Sequence, residues 1–279
     1  MIINFLKSLL RGFGQSQSIA ADEYPVVRQE RIIQASKNAP VDAHVGIVLE
    51  GMRIGEHELT DLVRRCLADS KGKIPPYKVL HRMMASYILA RYYLHALGRE
   101  GRRAECGVFL GTSSLLMCRA ARTRDPGHTG AGMHLVDSFE GLSAPVDTDR
   151  YSVPRADGRL AASRNVEPGM FNAGAEQARL SLKEFPGVSF HRGWIPAVFA
   201  QLPESRWSFV HIDVDLYEPS YACLEYFVPR LVDDGVIVCD DYGAPLFPGA
   251  SRAWNRYCNE RGIPFVVHDT GQAVLLKRA

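Results

Sequence analysis

Two apolar runs in the second half of the chain end abruptly in carboxylates. One is Phe209-Val210-His211-Ile212-Asp213-Val214-Asp215 and the other is Val236-Ile237-Val238-Cys239-Asp240-Asp241. Short apolar runs of this kind read as buried strands of a parallel sheet. If the two strands are neighbours, Asp213, Asp240 and Asp241 converge at one end of the sheet. Three carboxylates placed together repel one another and are costly to hold unless a cation sits among them. Oxygen-only ligands select a hard ion such as Mg2+. Surface carboxylates capping helices explain one of the pairs but not both together. His211 alternates with Asp213 along its strand, and a lone histidine there reads as a satisfied core residue in preference to a ligand.

A second stretch, Glu105-Cys106-Gly107-Val108-Phe109-Leu110-Gly111-Thr112-Ser113, is a strand end, a glycine-bearing turn and a helix start. Glycine lets the backbone approach a ligand closely, and open α/β sheets bind ligands outside the carboxyl ends of their strands. An acidic residue beside the first glycine can meet a positively charged group, such as the amino group of a methionine moiety. A dinucleotide site prefers Gly-x-Gly-x-x-Gly. The Gly-x-x-x-Gly spacing with Glu105 in front tilts the reading towards S-adenosylmethionine (SAM), with a purely structural turn as the alternative. Asp137 ends another apolar run 30 residues after Gly107. That is where a ribose diol would be held, with Ser138 and Phe139 flanking the adenosine; a helix-capping role is the alternative. Trp194 reads equally as an adenine-stacking ring or as a core aromatic.

The elements that must position these residues follow an alternating pattern. A strand ends near Cys106, and helix Thr112–Arg122 follows. Strand Met133–Val136 leads into a long loop rich in proline and glycine. Helix Ala175–Phe185, strand Val188–His191 and strand Phe209–Asp213 come next. Then come helix Tyr217–Leu231, a turn at Asp233-Asp234-Gly235, strand Val236–Cys239 and helix Ser251–Arg261. Strands Phe265–His268 and Ala273–Leu276, joined around Gly271, close the chain. This predicts an α/β fold with a Rossmann-like sheet and helices on both faces. The closing antiparallel strand favours a class I methyltransferase sheet over a plain dinucleotide sheet. Upstream, Glu56–Leu67 has helical spacing with Thr60 as its cap, Pro75-Pro76 interrupts the chain, and Tyr77–Leu97 is helical up to Gly98. The segment from about Gln15 to Pro76 shows no strong strand signal. Residues 1–76 are therefore expected to form a helical lid or oligomerisation region, and residues 77–279 the main domain.

Bulk composition narrows the function classes. The chain has 279 residues, 46% hydrophobic and 23% charged, which is ordinary for a globular protein. A formal net charge of +2 gives no strong field for nucleic acid. The six cysteines are scattered, without a Cys-x-x-Cys pair, and read as buried free thiols in a reducing compartment with no zinc site. No apolar stretch approaches the roughly 18 residues that span a bilayer. Met1–Phe13 is amphipathic, with Lys7 and Arg11 inside it, and lacks the signature of a signal peptide. It reads as a docking or oligomer-contact helix, with a membrane-surface helix as the alternative. A cytoplasmic protein is the expectation.

Taken together, these motifs resemble the macrocin O-methyltransferase (TylF-type) family, which includes enzymes that methylate sugars on macrolide and aminocoumarin antibiotics. The matching pieces are Glu-Cys-Gly-Val-Phe-Leu-Gly at 105–111, Val-Asp-Ser-Phe-Glu-Gly-Leu at 136–142, His-Ile-Asp-Val-Asp-Leu-Tyr-Glu-Pro at 211–219, and Val-Cys-Asp-Asp-Tyr-Gly at 238–243, followed by Pro248-Gly249. The most specific element is an aspartate followed 27 and 28 residues later by an aspartate pair. The resemblance runs from roughly Tyr77 to the C-terminus and implies a SAM- and Mg2+-dependent O-methyltransferase. Asp213, Asp240 and Asp241 resemble the metal ligands. Asp213 also resembles the base, with Asp215 as the other candidate. Glu105, Gly107, Gly111, Thr112, Ser113, Ser114, Asp137 and Ser138 resemble the SAM site. The implied acceptor is a small hydroxylated molecule, a sugar of a glycosylated natural product, and a homo-oligomer is expected. Residues 1–76 match far less clearly, which leaves a glycosylated metabolite, a nucleotide sugar and a glycan precursor open. Two other classes compete. An NAD-dependent oxidoreductase is disfavoured by the missing three-glycine fingerprint and the lack of a Tyr-x-x-x-Lys pair. A catalytically silent SAM-binding module has no need for concentrated carboxylates.

Overall fold

The computed structural model describes residues 32–34, 56–69, 76–150, 152–154, 160–162 and 166–278. The amphipathic stretch 1–13 lies outside them. In chain order the elements are strand β1 (Ile32–Gln34), helix α1 (Glu56–Asp69), helix α2 (Pro76–Ala96), strand β2 (Arg102–Cys106), helix α3 (Thr112–Arg124) and strand β3 (Met133–Asp137). A small hairpin of β4 (Ser152–Pro154) and β5 (Leu160–Ala162) precedes helix α4 (Ala175–Ser181) and strand β6 (Ser189–Arg192). Strand β7 (Trp207–Ile212), helix α5 (Tyr217–Phe227), strand β8 (Leu231–Cys239), helix α6 (Pro248–Arg261) and strands β9 (Val266–His268) and β10 (Ala273–Leu276) complete the chain.

The main sheet has the order β1-β9-β10-β8-β7-β2-β3-β6. Strands β6, β3, β2, β7 and β8 are parallel neighbours, and β10 runs antiparallel between β8 and β9. This is the expected α/β sheet with a reversed strand near its C-terminal edge. The central strands are buried on both faces, so they are continuous apolar runs without polar alternation. Successive residues still point to opposite sides. Phe209, Val236 and Val238 join the core under α2 and α3. Val210, Ile237 and Cys239 join the core under α5 and α6.

Helix α2 is buried around most of its circumference. Ile88, Tyr92 and Tyr93 pack on the sheet, while Met83, Tyr87 and Leu94 pack on Leu59, Leu62, Val63 and Cys66 of α1 and on Leu116 and Ala120 of α3. A helix used on two sides is apolar on two sides. Pro76 opens it, at a position where the missing N–H has no partner to lose.

Several boundaries differ from expectation. Thr60 lies inside α1 and does not cap it. Strand β1 falls in a segment without strand signal and pairs with β9, and β4 and β5 lie within the anticipated long loop. Helix α4 ends at Ser181, four residues early. Helix α5 gives way to a 3-10 turn at Val228–Arg230, because Pro229 has no N–H to continue the ladder. Asp233-Asp234-Gly235 is a bulge inside β8 and not a turn before it: the pairing with β7 jumps from Leu231 to Val236. The six cysteines are all buried and free, as expected. No helix among the described residues is long and apolar enough to cross a membrane.

Candidate active site

The carboxyl ends of β2, β3, β7 and β8 open on a cleft of about 420 Å³, within the size range of small-molecule sites. Asp213 is the first residue beyond β7, and its N–H donates to the Cys106 carbonyl at 2.8 Å. Asp240 follows β8, and its N–H donates to the Ile212 carbonyl at 3.0 Å. The ladder thus carries both aspartates to the same level. Gly107 has φ +84°, and a Cβ on it would sit 1.7 Å from the Asp213 carbonyl oxygen. Its lack of a side chain lets the β2 turn close against the β7 end. The close approach that glycine permits is therefore to backbone, although Gly107 also lines the cleft.

The alternation of the strands sorts the carboxylates. Glu105 and His211 are direct cross-strand partners, and both are fully buried. The Glu105 carboxylate accepts a hydrogen bond from the Ser114 hydroxyl and lies 3.0 Å from His211 Nδ1. His211 Nε2 lies 3.6 Å from Asp240 Oδ1. Ligand atoms of His211, Asp213 and Asp240 all lie within 4.8 Å of one another. Asp241 points the other way, and its Oδ2 accepts the Asp215 N–H at 2.9 Å. Asp215 adopts φ 62°, a left-handed conformation that aspartate tolerates better than most residues. Gln272, in the β9–β10 turn, donates to Asp240 Oδ1 at 2.8 Å, and the Arg82 guanidinium of α2 lies 3.7 Å from Asp240 Oδ2.

Burial, followed by the charges of Asp241 and Asp240, pushes the Asp213 carboxyl well above the usual carboxylate range. Asp215 and Asp241 are raised in the same way, by burial first and by their acidic neighbours second. Asp240 goes the other way. Burial would raise it, but the imidazole of His211 3.6 Å away, with Arg82 and Gln272, holds it down at about 2. Burial would lower His211, yet Asp240 and Glu105 on its two sides raise it well above the ordinary histidine value. His211 is wholly buried and flanked by acids at both ring nitrogens. The donors facing the cleft are thus carboxylate oxygens in excess of their positive partners. The oxygens of Asp213 and Asp240 are the pair that suits a hard divalent cation, with His211 as their buried support, while Asp241 lies outside that group and is bound to the Asp215 N–H.

The other half of the cleft is built differently. Asp137 Oδ2 accepts the N–H groups of Val108 and Phe109 at 2.6 and 3.1 Å, and its Oδ1 accepts the Phe139 N–H at 2.6 Å. One carboxylate therefore fixes the turns after β2 and β3. Ser138 lies beside it, accepting the Glu140 N–H and donating to the Gly141 carbonyl, both at 3.1 Å. Trp194 is 43% exposed on the cleft wall, so it is not a core aromatic. Phe109, Phe171 and Leu246 are similarly exposed and line the same cleft. Phe171 makes edge contacts with Phe109 and Phe247, at ring separations of 5.8 and 6.1 Å.

Of the residues expected at the site, Gly107, Asp137, Ser138, Trp194, Asp213, Asp215, Asp240 and Asp241 line the cleft together. Glu105, Gly111, Thr112, Ser113 and Ser114 stand behind it. Glu105 and Ser114 are bound to each other, and Gly111 caps α3 in a left-handed turn against Ala178. Two residues escaped the sequence reading. Gln272 could have been found, because the β10–β8 register pairs Ala273 with Cys239 and so sets residue 272 beside Asp240. Arg82 carries no motif, and only the packing of α2 brings it to the cleft.

Comparison with known proteins agrees with this architecture. The profile described as macrocin-O-methyltransferase (TylF) matches residues 93–275. The chain is 32% identical, over 149 residues, to the 8-demethyl-8-(2,3-dimethoxy-alpha-L-rhamnosyl)-tetracenomycin-C 4'-O-methyltransferase of Streptomyces olivaceus. That match covers 52% of this chain and 54% of the relative, so the chain spans about half the length of the curated relative it matches. The fold is shared with the crystal structure of CalS11, a calicheamicin methyltransferase, at a TM-score of 0.58 and 21% identity, over 80% of this chain and 93% of that one. It is also shared with the O-methyltransferase NovP, at a TM-score of 0.55 and 19% identity, over 86% and 98%. With its signature strands, aspartates and turns all inside the matched region, the chain belongs to the macrocin-O-methyltransferase (TylF) family.

Proposed function

We propose that this chain is a SAM- and Mg2+-dependent O-methyltransferase that methylates a sugar hydroxyl of a glycosylated natural product. The observation that carries this reading is one cleft with two unlike halves. Crowded carboxylates lie at the ends of β7 and β8, and a tightly hydrogen-bonded turn pair lies at the ends of β2 and β3. Asp137, Ser138, Gly107 and Trp194 form the SAM side, with Glu105 and Gly111 to Ser114 holding its turn from behind. Asp213, Asp240 and Asp241 would hold the cation, which when bound would lower the pKa of the acceptor hydroxyl. Asp213 takes the hydroxyl proton, with Asp215 as the second candidate. SAM bound beside Asp137 would supply the methyl group to the acceptor oxygen and leave as the neutral thioether. The walls do the positioning and keep the two reactants close and dry. Phe109, Phe171, Leu246 and Phe247 offer an apolar surface beside the acids, which supports an acceptor whose sugar carries an apolar group. Residues 77–279 form the catalytic domain; of the lid or oligomerisation region expected at residues 1–76, the described parts, β1 and α1, pair with β9 and pack on α2 and α3. The name of the Streptomyces relative, a methyltransferase of a rhamnosyl tetracenomycin, supports the same acceptor class.

Calorimetric titration with SAM, with and without Mg2+ and a vicinal-diol rhamnoside, tests the reading. SAM should bind alone, and the rhamnoside only with Mg2+, a dependence lost in Asp240→Ala. Failure of SAM to bind under every condition would overturn the proposal, and nicotinamide cofactors would be the next ligands to try.

A further inference from the structure

Arg82 is a cleft-lining residue that the family motifs do not include. It projects from α2, whereas the acids around it come from the strand ends. Its side chain is 54% exposed, and its guanidinium lies 3.7 Å from Asp240 Oδ2. The opposite oxygen of Asp240 is already occupied by Gln272 at 2.8 Å, with His211 3.6 Å away. Arg82 is therefore a second, movable positive charge on a carboxylate that the proposed function assigns to the metal. A positive charge this close to a divalent ion opposes its binding. The exposed end of Arg82 faces the same cleft as Asp213, where an acceptor hydroxyl gives up its proton.

We infer that Arg82 is a charge-positioning residue that competes with the divalent cation for Asp240 and, turned into the cleft, stabilises the negative charge developing on the acceptor oxygen. The inference rests on the proposed methyl-transfer reading. It predicts effects of opposite sign from a single substitution. In Arg82→Ala, Mn2+ should bind about tenfold tighter, because one competing cation is gone. The kcat for a vicinal-diol acceptor should fall about tenfold, and the acidic limb of its pH profile should move to higher pH. The KM for SAM should stay unchanged. Arg82→Lys, which keeps the charge without the planar fork, should fall between wild type and Arg82→Ala in both readouts. A structural defect moves both readouts the same way, towards weaker metal binding and slower turnover. The measurements are Mn2+ titration followed by electron paramagnetic resonance, and steady-state kinetics on the same full-length preparations. Unchanged or weaker Mn2+ affinity in Arg82→Ala, with wild type binding Mn2+ and turning over normally, overturns the role of Arg82 and leaves the proposed function standing. No Mn2+ binding to either protein overturns the metal reading and the Arg82 role together, while SAM titration of the same samples reports separately on the cofactor half.

Discussion

Asp137 and Asp213 stand two strands apart at the same edge of the sheet, and they are held in opposite ways. Both oxygens of Asp137 are satisfied by N–H groups from two neighbouring turns. Asp213 faces other carboxylates, and burial together with Asp241 and Asp240 works against its charge. The first site is complete within the chain: its polar groups are paired and its backbone is fixed before any ligand arrives. The second concentrates charge that the chain only partly neutralises through His211 and Arg82. A fold stores function in both ways. A paired carboxylate fixes shape, and an unpaired cluster creates affinity for something of opposite charge.

The largest effect expected from this contrast is chemical. Asp213→Ala should cost on the order of 10³-fold in turnover while SAM still binds, because SAM lies on the Asp137 side. Near-normal turnover in that variant would place the proton acceptor and the metal elsewhere. Asp137→Ala should do the reverse in kind. It leaves three N–H groups without their acceptor, a loss of about 1–3 kcal/mol for such groups. The melting temperature should drop by several degrees, and SAM affinity should weaken roughly ten- to a hundredfold. Equal stability of the two alanine variants in EDTA would erase the distinction between the halves.

A smaller effect separates crowding from pairing. Asp241→Asn retains an oxygen for the Asp215 N–H but removes one of the like charges. In EDTA this variant should melt a few degrees above wild type, about 1 kcal/mol of relieved repulsion. Mg2+ should stabilise it less than it stabilises wild type. Differential scanning fluorimetry with both additives decides the matter, and a lower melting point in EDTA would mean that the cluster carries no strain.

The two halves were also unequally legible in the sequence. The abrupt ends of β7 and β8 announce themselves, because two buried strands that both stop at acids must bring those acids together. The register of β2 and β7 sets Glu105 opposite His211, whereas in the sequence a glutamate beside a glycine turn suggested a ligand contact. In the structure that carboxylate is spent on Ser114 and His211. A side chain next to a binding loop can face either side of it, and the loop motif does not say which. Helix α2 was readable as a helix, but its apolar pattern could not reveal that Arg82 reaches Asp240. That contact depends on how the helix crosses the sheet, a property of packing and not of periodicity. The bulge in β8 was misread because Asp-Asp-Gly carries the chemistry of a turn. A strand can absorb that chemistry when one neighbour holds it, as the Asp234 N–H to Lys277 carbonyl bond at 2.8 Å does here.

The subtlest expectation concerns pH. Asp213, Asp215 and Asp241 have folded-state values raised above the ordinary 3.8. Their contribution to stability is complete below that value and is lost as pH rises through the raised ones. His211, raised above 6.5, acts in the same direction. Asp240, held at about 2, contributes fully above 3.8 and loses its contribution only as pH falls through 2, so it is silent near neutrality. His134 and His268, lowered to about 4 by burial, oppose the trend, because their contribution is present above 6.5 and lost as pH falls towards 4. A melting curve alone therefore mixes both signs. The difference between melting temperatures in Mg2+ and in EDTA largely removes His134 and His268, neither of which is a proposed ligand. That difference should widen from about pH 5 to about pH 8, since a divalent ion binds only deprotonated carboxylates and stabilises the state that repulsion penalises. It should flatten in Asp213→Asn and keep its slope in His134→Gln. A difference that stays constant with pH in wild type would mean that the acids at the ends of β7 and β8 are already neutralised within the chain, as Asp137 is already satisfied by its own turns.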